Sequence, residues 1–309
     1  MKRLGLITLL LALIVGDLLC GNGFGLPSDI IFWKLRLPRM LTAIIAGASL
    51  ALAGAQMQAI FRNPLADPHI MGVSGGAGLG AAIAALAVSG LSPWAGNLGL
   101  VSAAFVGALL SGMVVVAVAA RTQSTATLLL VGVMLGFVLS AVSSILQYSA
   151  GEESLKLFYS WMAGSFSGVS YTGLAFMGSL LAVGLLLALS HLKGLDLILF
   201  GDEYARVSGA SLKSLRFGVM LGCCLMTGAV TAFCGPLGFV GIAAPHIVRR
   251  LMGTANHRRV LPWSLVTGAG LALSGDILAQ AWPTPLPVGS TLAIIGIPFI
   301  VILLWRKRL

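Results

Sequence analysis

Ser74 is a residue whose neighbours suggest chemistry, because it lies in Gly72-Val73-Ser74-Gly75, the G-x-S-G pattern of serine proteases that cut within membranes. A serine nucleophile needs a histidine on a neighbouring element to take its proton. His246, near the inner end of an apolar segment, is the remote histidine with a suitable place. A four-residue pattern arises by chance in a chain with 40 glycines, so we expect no catalytic residue.

Asp276, in LALSGDILAQ, is the deepest ionisable residue of an apolar segment, and Asp17 lies near the outer end of the first. A charge at the bilayer centre costs about 2.5–3.5 kcal/mol on insertion scales, so ion-driven carriers keep such groups for function. One deep acid favours a structural role, as a bridge between helices. The alternative is an ion-coupled secondary transporter in which Asp276 relays a proton.

Nucleotide and metal sites are not indicated. The sequence contains no G-x-x-x-x-G-K-[ST] pattern, so the chain cannot cradle phosphates in a P-loop of its own. ATP and magnesium would be bound by a partner ATPase. The histidines fall at segment ends and the four cysteines lack paired spacing, so we expect neither a metal nor a bound cofactor in this chain.

The composition is that of a membrane protein. Of 309 residues, 58% are hydrophobic and only 9% are charged. The charged residues are too few to cover the surface of a water-soluble globular protein. Apolar runs fall roughly at 4–20, 40–60, 70–90, 98–120, 126–148, 172–192, 216–234, 238–250, 262–281 and 289–305. We therefore expect an all-α polytopic protein of about ten transmembrane helices, forming a single domain over residues 1–309.

The basic residues orient these helices. With the N-terminus in the cytoplasm, 15 of the 19 Lys and Arg residues lie inside and four lie outside, as the positive-inside rule requires. Both termini are then cytoplasmic. The net charge of +10 reflects this topology and contact with anionic lipid, with no need for nucleic acid. A long inside loop, about 193–215, divides the helices into two sets.

The third apolar segment is rich in glycine and follows a stiff turn. Gly72, Gly76 and Gly80 recur every four residues, which predicts close packing against another helix. In the preceding RNPLADP, two prolines restrict the backbone, while Asn63 and Asp67 can cap the turn or the next helix.

Three long stretches resemble the FecCD-type permeases of bacterial ABC importers for iron-siderophore, haem and cobalamin. They are LRLPRMLTAIIAGASLALAGAQMQAIFRNPLADPHIMGVSGGAGLGAA, GFVGIAAPHIVRRLMGTANHRRVLPWSLVTGAGLALSGDILAQ and PLPVGSTLAIIGIPFIVILLWR. The resemblance covers nearly the whole chain after about residue 30. It implies a type II ABC importer permease fold, a homodimer of ten-helix subunits, two cytoplasmic ATPases and an extracytoplasmic substrate-binding protein, in the bacterial inner membrane.

The resemblance also implies roles for particular residues. Asn63 and Leu65 would belong to the inner gate; we call them the first gate stretch. Ser124-Thr125-Ala126 would form a second gate stretch. The alternative for this second stretch is an ordinary helix cap. Arg36 and Arg39 would meet acidic residues of the binding protein. An arginine expected in that outer set is replaced by Gln280. A coupling segment would sit in a groove of the ATPase; it comprises Gly201, Asp202, Glu203, Tyr204, Ala205, Arg206, Val207, Ser208 and Gly209.

We therefore expect the non-enzymatic, membrane-spanning subunit of an ATP-driven importer. An iron chelate, such as a ferric siderophore, is the first expectation for its substrate. Cobalamin or haem is the alternative.

Overall fold

The computed structural model describes residues 2–20, 28–87, 93–122, 124–282 and 284–305, and the regular structure in these ranges is helical. The fourteen α-helices are α1 (Lys2–Leu19), α2 (Asp29–Ile31), α3 (Leu37–Ile60), α4 (Val73–Ala87), α5 (Pro93–Arg121), α6 (Thr125–Tyr148), α7 (Glu152–Ala163), α8 (Tyr171–Ser190), α9 (Leu192–Leu197), α10 (Asp202–Val207), α11 (Leu212–Cys234), α12 (Val240–Met252), α13 (His257–Gln280) and α14 (Val288–Trp305). The all-α prediction is confirmed, and each of the ten predicted segments overlaps one long helix.

Six spans of the described chain are long and apolar enough to cross a bilayer, and α1, α4 and α14 are shorter apolar helices. The first of the six begins at Asp29, well before the predicted residue 40, because α2 continues through a π-turn at Phe32–Arg36 into α3. Pro38 closely follows this π-turn, where the helical hydrogen-bond register changes, and the Trp33 carbonyl oxygen accepts the Tyr171 hydroxyl at 2.6 Å, so the span is not interrupted.

The centre of the molecule is built from α3, α11 and α13. Helix α3 packs along α13, α11 and α12, and almost every side chain in its second half is buried. Gly47 of α3 faces Gly268 of α13 so closely that a β-carbon on either would overlap the carbonyl of the other. Backbone contact of this kind replaces large side chains in a bundle whose surroundings are already apolar.

Helices α6 and α14 are peripheral. The outward side chains of α6 are large and apolar, with Phe137 67% and Ile145 68% exposed. Ile294 and Ile297 give α14 a similar outward face. Exposed apolar faces like these are normally covered by lipid or by a second subunit and do not face water.

The stretch 193–215, predicted to be a long inside loop, is not a simple loop. It contains most of α9, a 3₁₀ turn at Ile198–Phe200, all of α10 and the start of α11. The amphipathic helix α7 was likewise not predicted, because its polar turns interrupt the apolar run. Short helices with mixed faces carry too little periodic signal for a sequence to define.

The glycines of α4 pack as predicted, with one difference. Gly76 and Gly80 contact α5, where a β-carbon on Gly80 would overlap the Ala103 carbonyl oxygen. Gly72 precedes α4, has a φ of 72° and lies against α6, with Gly132 as a neighbour. It therefore serves the turn as well as the packing.

We expect Gly80→Ala to destabilise the protein by about 1–3 kcal/mol, because a methyl group must displace backbone atoms in a packed interface. Gly78→Ala is the matched control, since a β-carbon there meets no atom within 4 Å among the described residues. Thermal unfolding of the purified protein in detergent measures both. Equal melting temperatures for the two variants would contradict the close α4–α5 contact.

Candidate functional site

The turn between α3 and α4 holds the first gate stretch. The Asn63 side-chain oxygen accepts the Leu65 N–H at 3.0 Å, and the Asn63 carbonyl accepts the Ala66 N–H at 3.1 Å. Asp67 Oδ1 accepts the His69 N–H at 2.8 Å and so caps the short 3₁₀ helix Pro68–Met71. The predicted capping is therefore present, and it leaves the Leu65 side chain 38% exposed.

Leu65 lines a largely apolar cavity of about 540 Å³. One wall is the α3–α4 turn with the start of α4, and the other is the turn between α11 and α12, which includes Phe239. Because α4 and α12 both begin beside this cavity, the positive ends of two helices lie near it. A space of this volume can admit part of a small molecule.

His69 connects the two walls of the cavity. Its Nε2 donates to the Leu237 carbonyl oxygen at 2.9 Å, so its Nδ1 must accept, and the Ser74 hydroxyl donates to it at 2.5 Å. The histidine expected to partner Ser74 was His246. The structure pairs Ser74 instead with the histidine five residues before it, and a peptide carbonyl orients the ring where serine enzymes use a carboxylate. His69 therefore links the α3–α4 turn to the α11–α12 turn by a hydrogen bond.

The second gate stretch begins α6. Ser124 is the N-cap residue, and its hydroxyl oxygen accepts the Thr127 N–H at 3.1 Å. The Thr125 hydroxyl accepts a hydrogen bond of 3.2 Å from Arg216 of α11. Ser124 and Ala126 are exposed. The helix-cap role considered for Ser124 is thus present, and it leaves this stretch accessible.

The coupling segment presents apolar side chains to its surroundings. Its helix, α10, is anchored by Ala205, which is fully buried, whereas Val207 is 89% and Tyr204 53% exposed. The Tyr204 ring packs on Phe200, itself 74% exposed. Glu203, Arg206 and Ser208 are also exposed, and Gly201 and Gly209, on either side of α10, have φ values of 113° and 86°. An apolar patch on a short polar helix is typical of a protein contact.

Asp196 of α9 fixes the base of this region to α13. Its Oδ1 accepts the backbone N–H of His257 at 2.8 Å and lies 2.7 Å from His257 Nδ1. Burial alone would raise the pKa of Asp196, but the hydrogen bonds from the His257 side chain and backbone outweigh it, and the pKa is lowered. The carboxylate therefore remains charged and keeps α9 in place at neutral pH.

The end of the bundle that is predicted to face outward contains a buried polar network. Arg39 Nε lies 3.0 and 2.9 Å from the two Asp276 oxygens, and its Nη2 lies 2.7 Å from Oδ1. Asp276 is completely buried. Gln280 donates to Asp276 at 2.9 Å and to Asp17 at 3.4 Å. The structural role predicted for Asp276 is thus visible as a bridge between α3 and α13.

Arg36 and Arg39, expected to act together, have different surroundings. Arg39 is directed inward to Asp276, and its side chain is only 17% exposed. Arg36 donates to the Leu18 carbonyl at 2.6 Å and is partly exposed. Gln280, at the position where the resemblance implies an arginine, joins the inward network. Arg36 is therefore the better placed of the two arginines for an external partner.

Metal-binding geometry is not found in the described part of the chain, where no three His, Cys, Asp or Glu side chains converge. Each of the four cysteines is buried, and they form no disulfide bond with one another. Cys223 lies against the α3 backbone with its sulfur 3.5 Å from the Ala53 carbonyl oxygen. The cysteines thus act as small apolar packing residues, as predicted.

Long apolar helices, polar turns beside an open, largely apolar pocket, and an exposed short helix are the features expected of a membrane permease. The chain belongs to the FecCD transport family, whose model matches residues 5–306. It is therefore a permease subunit of the kind found in ABC importers.

Curated relatives cover almost the whole chain. The vitamin B12 import system permease protein BtuC of Klebsiella pneumoniae is 38% identical over 98% of this chain and 91% of its own length. The cobalamin import system permease protein BtuC of Halobacterium salinarum is 37% identical over 91% of this chain and 75% of its own length.

Solved structures agree on the fold. One, described as an inward-facing candidate metal-chelate-type ABC transporter, superposes with a TM-score of 0.88 at 30% identity and covers 98% of both chains. PsaBC from Streptococcus pneumoniae superposes with a TM-score of 0.59 at 15% identity over 94% of both chains, a likeness of fold alone. The predicted type II ABC importer permease fold is therefore confirmed.

Proposed function

We propose that this chain is the permease subunit of an ATP-driven cobalamin importer. The observation that carries the proposal is the similarity, over nearly the full length, to permeases named for vitamin B12 and cobalamin import. The sequence alone placed an iron chelate first and cobalamin second, and the names of these relatives favour the second. The cavity beside Leu65 supports a route for a bulky organic molecule, because its lining is mainly apolar.

The proposed assembly contains two copies of the chain, two ATPases and one substrate-binding protein. The outward faces of α6 and α14 support the homodimer, since large exposed apolar side chains would be covered by the second copy or by lipid. ATP and magnesium belong to the ATPases. We place the complex in the bacterial inner membrane with both termini in the cytoplasm; the basic C-terminal residues 306–308 lie outside the described part of the chain.

In the proposed mechanism, ATP draws the two ATPases together and the coupling segments follow. The two gate stretches then change position, so that the translocation pathway closes to one side of the membrane and opens to the other. ATP can drive this change only if the closed ATPase dimer binds one permease conformation more tightly than the other. His69 and the capped α3–α4 turn would keep Leu65 positioned during the change.

We expect Arg36→Ala to weaken capture of the binding protein by about 1–3 kcal/mol at low salt, the range for hydrogen bonds between charged groups. The loss should shrink as salt rises, because screening already weakens the wild-type contact. Binding of the labelled protein to the permease in nanodiscs measures it. Lys156→Ala, which removes a different exposed cation on the same side, should have little effect. Equal affinity of wild type and Arg36→Ala at low salt would exclude this docking role.

The substrate proposal is tested by uptake into proteoliposomes that contain the complete complex. Cobalamin, a ferric siderophore and haem are each offered with the cognate binding protein. We expect cobalamin to accumulate, and accumulation of the siderophore or haem alone would overturn the assignment while leaving the permease class intact.

A further inference from the structure

Arg216 is a buried cation at the start of α11. Its side chain is 3% exposed, and its Nη2 lies 2.7 Å from Asp202 Oδ2 and 3.2 Å from the Thr125 hydroxyl. Its Nη1 donates to the Thr122 carbonyl at 3.4 Å. A buried guanidinium cannot exchange these partners for water, so the carboxylate and the arginine must move together. Asp202 is thereby tied to the second gate stretch.

Asp202 has a second carboxylate oxygen with a different environment. This oxygen, Oδ1, is buried and accepts no hydrogen bond within the described part of the chain. Arg62 Nη2 lies 3.8 Å from this oxygen and forms an ion pair with it. The Arg62 side chain is 44% exposed, so this contact can break and re-form with water as the alternative partner.

Arg62 lies directly before Asn63 in the first gate stretch. Its backbone has a φ of 47°, in the left-handed region that is uncommon for residues other than glycine. Its guanidinium passes beside Gly201, where a β-carbon would lie 3.5 Å from Nη1. The arginine therefore reaches from the gate turn to the N-terminal end of α10.

We propose that Asp202 is the positioning residue that connects the coupling segment to both gate stretches. The buried link through Arg216 holds the second gate stretch to α10 throughout the cycle. The open link through Arg62 forms and breaks as the first gate stretch changes position. The proposal rests on the proposed function, because the two links matter for transport only if an ATPase moves α10.

The test compares ATP hydrolysis with uptake for the complete complex in proteoliposomes. The variants are Arg62→Gln, Asp202→Asn and the double variant. Asp202→Asn removes charge at constant shape, and Arg62→Gln removes charge while keeping a polar, shorter side chain. Lys213→Gln is the matched control, since it removes an exposed charge from the first turn of α11, outside the coupling segment. Arg62→Gln alters a half-exposed side chain, so it keeps the test valid even if Asp202→Asn folds poorly.

We expect substrate imported per ATP hydrolysed to fall roughly tenfold in Arg62→Gln and at least as far in Asp202→Asn, within the range of typical coupling free energies. Hydrolysis itself should persist. The double variant should be no worse than Asp202→Asn alone, and Lys213→Gln should match wild type. An unchanged ratio in both single variants overturns the proposal. So does a parallel fall of hydrolysis and uptake, which indicates a purely structural role. Absence of ATP-dependent uptake in the wild-type complex would instead overturn the proposed function.

Discussion

Arg39→Ala is expected to destabilise the folded protein by about 3–5 kcal/mol, because it leaves the buried Asp276 carboxylate without its counter-charge. All three contacts between the two side chains are 3.0 Å or shorter, and Asp276 has no exposed surface. Asp276→Asn should cost less, since it removes the buried negative charge instead of isolating it. Thermal unfolding in detergent, with the yield of folded protein, measures both variants.

Arg36→Ala is the matched control for this network. The side chain lies one turn earlier on the same helical span and donates to the Leu18 carbonyl oxygen. We expect a loss of roughly 1.5–3 kcal/mol at most, the range for a hydrogen bond made by a charged group. If Arg39→Ala were no less stable than Arg36→Ala, the Arg39–Asp276 pair would not be the structural bridge described above.

The same network separates two classes of transporter. In an ion-coupled carrier Asp276 would relay the proton, and Asp276→Asn would abolish uptake even when the protein folds. In the ABC importer, the folded Asp276→Asn protein should retain most of its ATP-driven uptake, because the residue bridges helices and takes no part in the energy supply. Uptake is therefore expressed per folded molecule.

Val207→Asp is the second change with a large expected effect. Val207 is the most exposed apolar side chain of α10, and Phe200 and Tyr204 extend the same patch. A carboxylate at the centre of an apolar contact should weaken ATPase binding by about 2–3 kcal/mol, the range of an interface hot spot. Co-purification of the ATPase with the permease and uptake should fall together.

Ala255→Asp is the control for added charge, since Ala255 is exposed in the turn between α12 and α13, outside the coupling segment. It should bind the ATPase normally. Unaltered co-purification of the ATPase with Val207→Asp would remove α10 from the interface. Gly209→Trp is less informative, because the φ of 86° at Gly209 makes any side chain there strained.

The periodicity of apolar residues was enough to predict the ten long helices and the glycine packing of α4. Such patterns depend on local sequence and on the thickness of the bilayer. The caps at Asn63 and Asp67 were predictable for the same reason, because their partners lie two residues away.

Contacts between distant parts of the chain were not predictable. Arg39 and Asp276 are 237 residues apart, and the family resemblance implied an outward role for the arginine. The partner of Ser74 was missed because the proximity of His69 depends on how the turn folds. The Arg62–Asp202 contact requires both the left-handed backbone at Arg62 and the helical fold of a stretch expected to be a loop.

The central claim is that ATP hydrolysis by a partner drives import through this chain. The most direct measurement is cobalamin accumulation in proteoliposomes that contain the permease, its ATPase and its binding protein, with ATP supplied on the ATPase side. We predict accumulation with ATP and none with a non-hydrolysable analogue, with or without an ion gradient. Accumulation driven by an ion gradient in the absence of ATP would contradict the account and make Asp276 the residue to study.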